Sequence, residues 1–263
     1  MQIRDQIGRV IEIPEPPKRI VCLVPSLTEL LVDLGLSDRI VGVTKFCVHP
    51  KDLRKDKAVV GGTKSVHFDK IAALRPDIIL YNKEENTKEM VTALERAYTV
   101  HVSDINTMEE ALSCIVDYGT IFGVAQTAKT LVASISEKQK DFQAFSAALE
   151  TKRVAYFIWK DPWIVVGKDT FINHMLKLVK FDNVYAAKSR YPEITLAELE
   201  AITDLDAVLL SSEPFPFKEK HIQFIQQKLP NVSVYLVDGE YFSWYGSRLY
   251  KAFTYFKALR AKL

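Results

Sequence analysis

Short apolar runs rich in valine and isoleucine alternate along the chain with stretches whose apolar residues recur at three- and four-residue steps. That alternation is the pattern of parallel sheets covered by helices, so the fold class expected is α/β. Residues 1–13 alternate apolar and polar positions about Gly8 and predict a small hairpin, ended by Pro14, Pro16 and Pro17. Buried strands are expected over residues 19–24, 40–43, 78–81 and 99–102, with helical stretches near 68–74 and 87–97. The first strand runs into Pro25-Ser26-Leu27-Thr28-Glu29, where Ser26 or Thr28 is placed to cap a helix that closes at Gly35.

Residues 125–149 contain neither glycine nor proline, and Leu131, Ile135, Phe142, Phe145 and Leu149 recur at helical steps. One helix of roughly 37 Å follows from 1.5 Å per residue, enough to run along two lobes. The alternation then restarts, with strands expected at 154–159, 207–211 and 232–237. Helices are expected near 171–179 and 196–202, after Pro216, and over 247–263. The division predicted is an N-terminal lobe over 1–124, a linking helix over 125–150 and a C-terminal lobe over 151–263. The second half also echoes the first. Lys18-Arg19-Ile20-Val21 is matched by Lys152-Arg153-Val154-Ala155. Asp69 stands seven residues before Pro76-Asp77 and a strand, as Glu198 stands seven before Leu205-Asp206 and another. Two alike lobes would present equivalent loops to a shared cleft at the carboxyl ends of their strands.

Composition removes several functions. The 35 basic and 33 acidic side chains give a net charge of +2, and no segment stands out as concentrating one sign, so neither a nucleic-acid stripe nor a polybasic membrane anchor is expected. No apolar run reaches the roughly 18 to 20 residues that cross a bilayer. Cys22, Cys47 and Cys114 are odd in number and widely spaced, which gives no disulfide framework; Cys22 and Cys114 read as buried thiols. No HExxH, GxSxG, P-loop or GxGxxG occurs, and the expectation is a protein that is not an enzyme, with no catalytic residues. Residues 1–5 lack an apolar h-region and a cleavage site, so the chain as written carries no export signal, which fits either a cytoplasmic protein or a mature form behind a start methionine.

Four loops carry candidate chemistry. Lys45-Phe46-Cys47-Val48-His49-Pro50 places a thiol and an imidazole two residues apart; either Cys47 or His49 could ligate a metal, though one C-x-H without a second pair is a weak signal and a hydrogen-bonded loop histidine is the rival reading. Asn82-Lys83-Glu84-Glu85-Asn86 sets five polar side chains after a strand, as ligand contacts or as a solvated helix start. Trp159-Lys160-Asp161-Pro162-Trp163 sets two indoles around an ion pair, suited to a flat, polar-edged ligand. Core packing is the competing reading there, and it suits Trp159 better than Trp163. The aromatic segment 241–248, with Trp244, Tyr245 and Arg248 following Glu240, reads as a cleft wall that Tyr191 and Glu213-Pro214-Phe215 would complete.

Lys18-Arg19-Ile20-Val21 running into Pro25-Ser26-Leu27-Thr28-Glu29-Leu30, the segment Phe68-Asp69-Lys70-Ile71-Ala72-Ala73-Leu74-Arg75-Pro76-Asp77-Ile78 and the long mid-chain helix together resemble the class III periplasmic substrate-binding proteins, the helical-backbone metal receptors, and among them the cobalamin-binding members. The resemblance implies two Rossmann-like lobes joined by a rigid helix and a shallow ligand cleft. It also implies the substrate-binding component of an ABC importer, a monomer that holds no covalent cofactor and lies outside the cytoplasm. One surface carboxylate per lobe, here Asp69 and Glu198, would pair with arginines of the permease; an acid favoured by the helix dipole is the rival for each. The ligand implied is cobalamin or another metal chelate such as haem or a siderophore. Tyr191 where the cobalamin binders have tryptophan, Glu240 where they have aspartate, and the polar loop at Glu84 depart from the corrinoid pattern. A cytoplasmic carrier of the same fold, with no permease, is the alternative.

Overall fold

The computed structural model describes residues 1–263 and divides into two compact units. One comprises Met1–Ile105, Glu109–Ser136 and Tyr245–Tyr250; the other comprises Asn106–Met108, Glu137–Trp244 and Lys251–Leu263. The segment 245–250, which the sequence places with the second lobe, thus belongs to the first unit.

In the first unit, β1 (Gln2–Arg4) and β2 (Val10–Glu12) pair antiparallel as the expected hairpin, with Gly8 at φ 86° in its turn. A five-stranded sheet follows, built from β3 (Ile20–Cys22), β4 (Ile40–Val43), β5 (Ala58–Val59), β6 (Ile78–Asn82) and β7 (Val100–Ser103). Every pairing in it is parallel, and the order is β5-β4-β3-β6-β7. The chain therefore leaves β3 toward β4 on one side and returns to β6 on the other. The carboxyl ends of β3 and β6 flank that switch, the place where open α/β sheets bind ligands. Val21, Leu23, Ile71, Ile79, Tyr81 and Val102 form a buried core on this sheet.

In the second unit the sheet comprises β8 (Lys152–Trp159), β9 (Trp163–Val165), β10 (Phe181–Asn183), β11 (Glu193–Ile194), β12 (Ala207–Ser211) and β13 (Ser233–Val237). The order is β11-β9-β8-β12-β13, with β10 parallel to the start of β8 and with β9 and β11 antiparallel. Its switch lies between β8 and β12. Phe157, Leu199, Val208, Leu210 and Ile225 lead its core. The short strands β5 and β9 to β11 escape a periodicity search because two or three residues complete no pattern.

The echo between halves has a physical basis. Asp77 Oδ2 accepts hydrogen bonds from the amides of Lys18 (2.8 Å) and Arg19 (2.9 Å), and Asp206 Oδ2 accepts one from Arg153 N (2.6 Å). In each unit the aspartate before one central strand thus satisfies the free amides that open its neighbour.

The helix Ala125–Ser146 is continuous, at roughly 33 Å for 22 residues, and stops three residues short of expectation. Its first half crosses the helix Met108–Ile121 closely: a Cβ at Gly119 would stand 2.5 Å from Ala128 Cβ. In its second half Phe142 meets Phe253 at 6.0 Å and Phe256 at 6.4 Å, both on the last helix, Leu249–Arg260. The helix Pro25–Asp33 corrects one expectation. Its cap is Val24, with no side-chain bond, because Pro25 starts the helix ahead of both hydroxyls. Thr28 Oγ1 instead donates to Val24 O at 2.9 Å. Gly35, at φ 80°, follows the helix end as expected.

His101 on β7 is fully buried against Tyr118, with ring centroids 5.3 Å apart, and neither ring nitrogen has a hydrogen-bond partner. Burial pushes it down to about 4, against the pull of Asp5 and with the push of Arg9. A base with a depressed folded value contributes stability that is complete above its unfolded value near 6.5 and is lost as pH falls toward 4. That difference corresponds to on the order of 3 kcal/mol. Urea melts of the native chain between pH 7 and 4 should lose that amount more than those of His101→Phe; equal losses would show that His101 does not titrate in this way.

Candidate ligand-binding site

In the first unit the carboxyl-end loops are held by two buried asparagines. Asn82 Oδ1 accepts from the amides of Glu84 (2.9 Å) and Glu85 (3.2 Å), while its Nδ2 donates to Ser103 O (3.2 Å). Asn86 Oδ1 accepts from Asn82 N at 2.9 Å, and its Nδ2 donates to Leu23 O (3.2 Å) and Thr63 O (2.8 Å). The loops after β3, β5 and β6 are therefore tied into one rigid edge. Of the five polar residues read as contacts or a solvated helix start, two are internal struts, Lys83 is exposed, and Glu84 and Glu85 are half-buried. Lys83 Nζ pairs with Asp104 at 2.5 Å.

The loop after β4 separates its candidates. Phe46 is 48% exposed, whereas Cys47 is fully buried, its sulfur 3.2 Å from Thr28 Oγ1 and 3.3 Å from Thr44 Oγ1. Burial pushes the Cys47 thiol up, and both hydroxyls only partly oppose that. A protonated, enclosed thiol is a poor metal ligand, so the weak metal reading of Cys47 is set aside. His49 is half-buried near Glu29.

The returning segment completes this edge. Arg248, 8% exposed, donates from Nε to Glu29 Oε2 (2.9 Å) and from Nη2 to Glu29 Oε1 (2.8 Å). Burial pushes the Glu29 carboxyl up, and Arg248, then His49, pull it back. Tyr245 donates its hydroxyl to Glu85 Oε1 at 2.9 Å. Gly246, at φ 104°, passes so close to the helix Pro25–Asp33 that a Cβ would stand 3.2 Å from Leu30 Cβ. Arg248, expected in the sequence to meet ligand, is thus a clamp on Glu29, a partner that lay unnoticed within the Pro-Ser-x-Thr-Glu motif.

In the second unit, Glu240 and Trp244 lie beside Glu213. Glu213 Oε1 accepts from Ser243 Oγ (2.6 Å) and Trp244 Nε1 (3.0 Å). Burial pushes the Glu213 carboxyl up; Ser243 lowers it, Glu240 raises it, and Trp244 lowers it. Trp244 is only 8% exposed and acts here as the partner of Glu213. Gly239 is required at this point, since a Cβ there would collide with Ser211 Oγ and stand 2.8 Å from Glu213 Cγ. Tyr191 is half-buried under the Arg190 guanidinium, 5.7 Å from its ring centre.

The two indoles exchange the roles that the core-packing reading gave them. Trp163 packs on the core, stacked with Phe217 at 6.2 Å and Phe224 at 6.1 Å, with Lys160 Nζ 5.6 Å from its ring centre. Trp159 is 38% exposed at the carboxyl end of β8, edge-on to Phe215 at 5.6 Å. Its strand leaves the core after Phe157, two residues earlier than the apolar run suggests.

Asp69 is exposed in the first turn of the helix Phe68–Leu74. Glu198 is exposed in the first turn of Leu196–Glu200, where it closes a capping box with Thr195 and pairs with Lys188 at 3.1 Å. The Thr195 amide, then Lys188, holds its carboxyl low. An open surface depression of 510 Å³ lies along the long helix, lined by Gln126, Thr130, Leu131 and Tyr250, and includes none of the candidate loops.

These loops sit at the carboxyl ends of two parallel-centred sheets in a chain divided by one long helix. A family described as periplasmic binding protein matches residues 20–233, and the chain belongs to it. It is a family of binding proteins rather than enzymes. The chain is 31% identical over 201 residues to the uncharacterized ABC transporter substrate-binding lipoprotein YvrC of Bacillus subtilis, covering 73% of this chain and 63% of that one, so it spans less than two thirds of that relative. The periplasmic vitamin B12 binding protein BtuF of Vibrio cholerae has the same fold, with a TM-score of 0.80 at 18% identity over 95% of this chain and 100% of that one. A periplasmic heme binding protein of Pseudomonas aeruginosa superposes with a TM-score of 0.79 at 23% identity, covering 92% of each chain.

A nearly buried ion pair is vulnerable to the loss of one partner. Arg248→Ala, which leaves Glu29 enclosed and unmatched, should lower stability in urea unfolding by about 3 kcal/mol. Glu29→Leu with Arg248→Met should restore most of it. A double variant as unstable as the single one would contradict the clamp.

Proposed function

We propose that this chain is the substrate-binding component of an ABC importer, working outside the cytoplasm as a monomer, and that it captures a flat metal chelate. The observation that carries the reading is the placing of exposed aromatic faces at the carboxyl ends of central strands. Phe46 follows β4 in the first unit, and in the second Trp159 ends β8, edge-on to the half-buried Phe215 that follows β12. Such faces give stacking area to a planar ring, and neighbouring polar groups fix its orientation. The likeness to a substrate-binding lipoprotein, to a vitamin B12 binder and to a heme binder supports the same class of cargo.

Phe46, His49, Lys83, Glu84 and Tyr245 are assigned to the ligand face of the first unit. Trp163, Tyr191, Glu213, Glu240 and Trp244 are assigned to that of the second, with Trp159 added. Lys83 and Glu84 contribute polar contacts, and Trp163 supports the aromatic face from beneath. No helix is long and apolar enough to cross a membrane, and delivery then requires a permease partner. Asp69 and Glu198 are proposed as its docking points, each an exposed carboxylate on the first turn of a helix, where charge steers encounter without deep burial. The capping box leaves Glu198 oriented for this role.

Asp69→Ala combined with Glu198→Ala should abolish chelate uptake with the cognate permease while tryptophan-quenching titrations give an unchanged affinity. Uptake that persists would remove the docking assignment, and a chain that binds no haem, corrinoid or ferric siderophore would remove the proposed cargo.

A further inference from the structure

A sheet that stops at an edge leaves a row of amides and carbonyls that a further strand could use. In the first unit that edge is β7, the last strand in the order β5-β4-β3-β6-β7. The opposite edge, β5, is two residues long, too short to template a partner. On β7 the carbonyls of Thr99 and Ser103 turn inward, where they accept from Ile79 N and Lys83 N at 2.9 Å. Residues 100, 102 and 104 therefore turn their main-chain groups outward, since successive residues of a strand alternate.

The turn of the N-terminal hairpin meets all three. Arg9 Nη2 donates to Val100 O at 3.0 Å, Asp5 Oδ2 accepts from Val102 N at 3.3 Å, and Gln6 Oε1 accepts from Asp104 N at 3.1 Å. Each of these bonds comes from a side chain, and the hairpin remains a separate two-stranded sheet. The three side chains are themselves held. Asp5, 3% exposed, also accepts from Arg9 Nε (2.9 Å) and Nη2 (2.8 Å). Arg9 Nη1 reaches Glu95 at 2.7 Å, and Gln6 Nε2 donates to Glu110 O at 2.9 Å. A covering strand would extend the ladder and move the open edge outward by one. Side chains end it, because they offer no further row.

We infer that this hairpin is a detachable side-chain seal that keeps the chain monomeric, and that lifting it turns β7 into a strand-accepting edge for a second copy of the chain. The inference goes beyond ligand capture and does not depend on it. A second copy fits because the outward pattern is self-complementary. Two β7 strands run antiparallel about Val102 set residue 102 against 102 and 100 against 104, so outward donors meet outward acceptors across a twofold axis. Asp104, at the end of the run, is already paired with Lys83. Glu95, which loses Arg9 when the seal lifts, is the one acid left unmatched beside the edge, and salt screens its charge.

The test uses the full chain. Asp5→Ala, Gln6→Ala and Arg9→Ala together remove the seal without leaving a lone buried charge. At low protein concentration the amides of Val102 and Asp104 should exchange hydrogen at least about tenfold faster than in the native chain, with the inward amides of Ile79 and Lys83 unchanged. As concentration rises, light scattering should show a dimer in which the Val102 and Asp104 amides are slow again. A triple variant whose Val102 amide stays protected at low concentration, or one that loses protection yet remains a monomer at every concentration, would overturn the inference. If the triple variant does not fold, the native chain decides. In urea below the unfolding transition its Val102 and Asp104 amides should open together, ahead of Ile79 and Lys83, and opening of all four in one step would overturn the seal.

Discussion

A guanidinium that is nearly shut off from water must be met by a carboxylate, and in this chain the match is made between residues 219 positions apart, Glu29 and Arg248. Taking either charge out of water costs several kcal/mol, and only bidentate geometry with short bonds offsets it. That demand gives the end of the chain one place to return to. Gly246 then has to lie against Leu30, and Tyr245 is brought to Glu85. The first unit is consequently discontinuous, and part of its loop edge comes from residues near the C-terminus.

The remaining edges follow the same economy of buried polar groups. Asn82 and Asn86 bind three loops into one rim, and Glu213 binds Ser243 and Trp244 into another. In both units the ordering side chains point inward. Phe46 is exposed after a strand of one sheet, and Trp159 at a strand end of the other, beside the half-buried Phe215.

Much of this was legible in the sequence where the signal was long or repeated. Central strands announced themselves as valine and isoleucine runs, the 22-residue helix by the absence of glycine and proline, and the relation between halves by Lys-Arg and Asp at matched spacing. The aspartates proved to bond the opening amides of the neighbouring strands, a reason for the spacing that identity alone does not disclose. Less was legible wherever direction mattered. Cys47 and Phe46 are adjacent, yet one is enclosed by two threonines and the other is open, because neighbours in a loop need not share a face. Trp159 and Trp163 could not be sorted without knowing that Phe217 and Phe224 would stack on the second.

The most direct measurement is native mass spectrometry with a visible absorption spectrum on protein purified from its own organism. The expected result is a population carrying one non-covalent metal chelate, with an absorption band and a mass increment that agree on its identity. A protein that carries an amino acid or sugar instead, or that stays empty when offered haem, corrinoid and ferric siderophore, would contradict the proposed capture of a planar chelate.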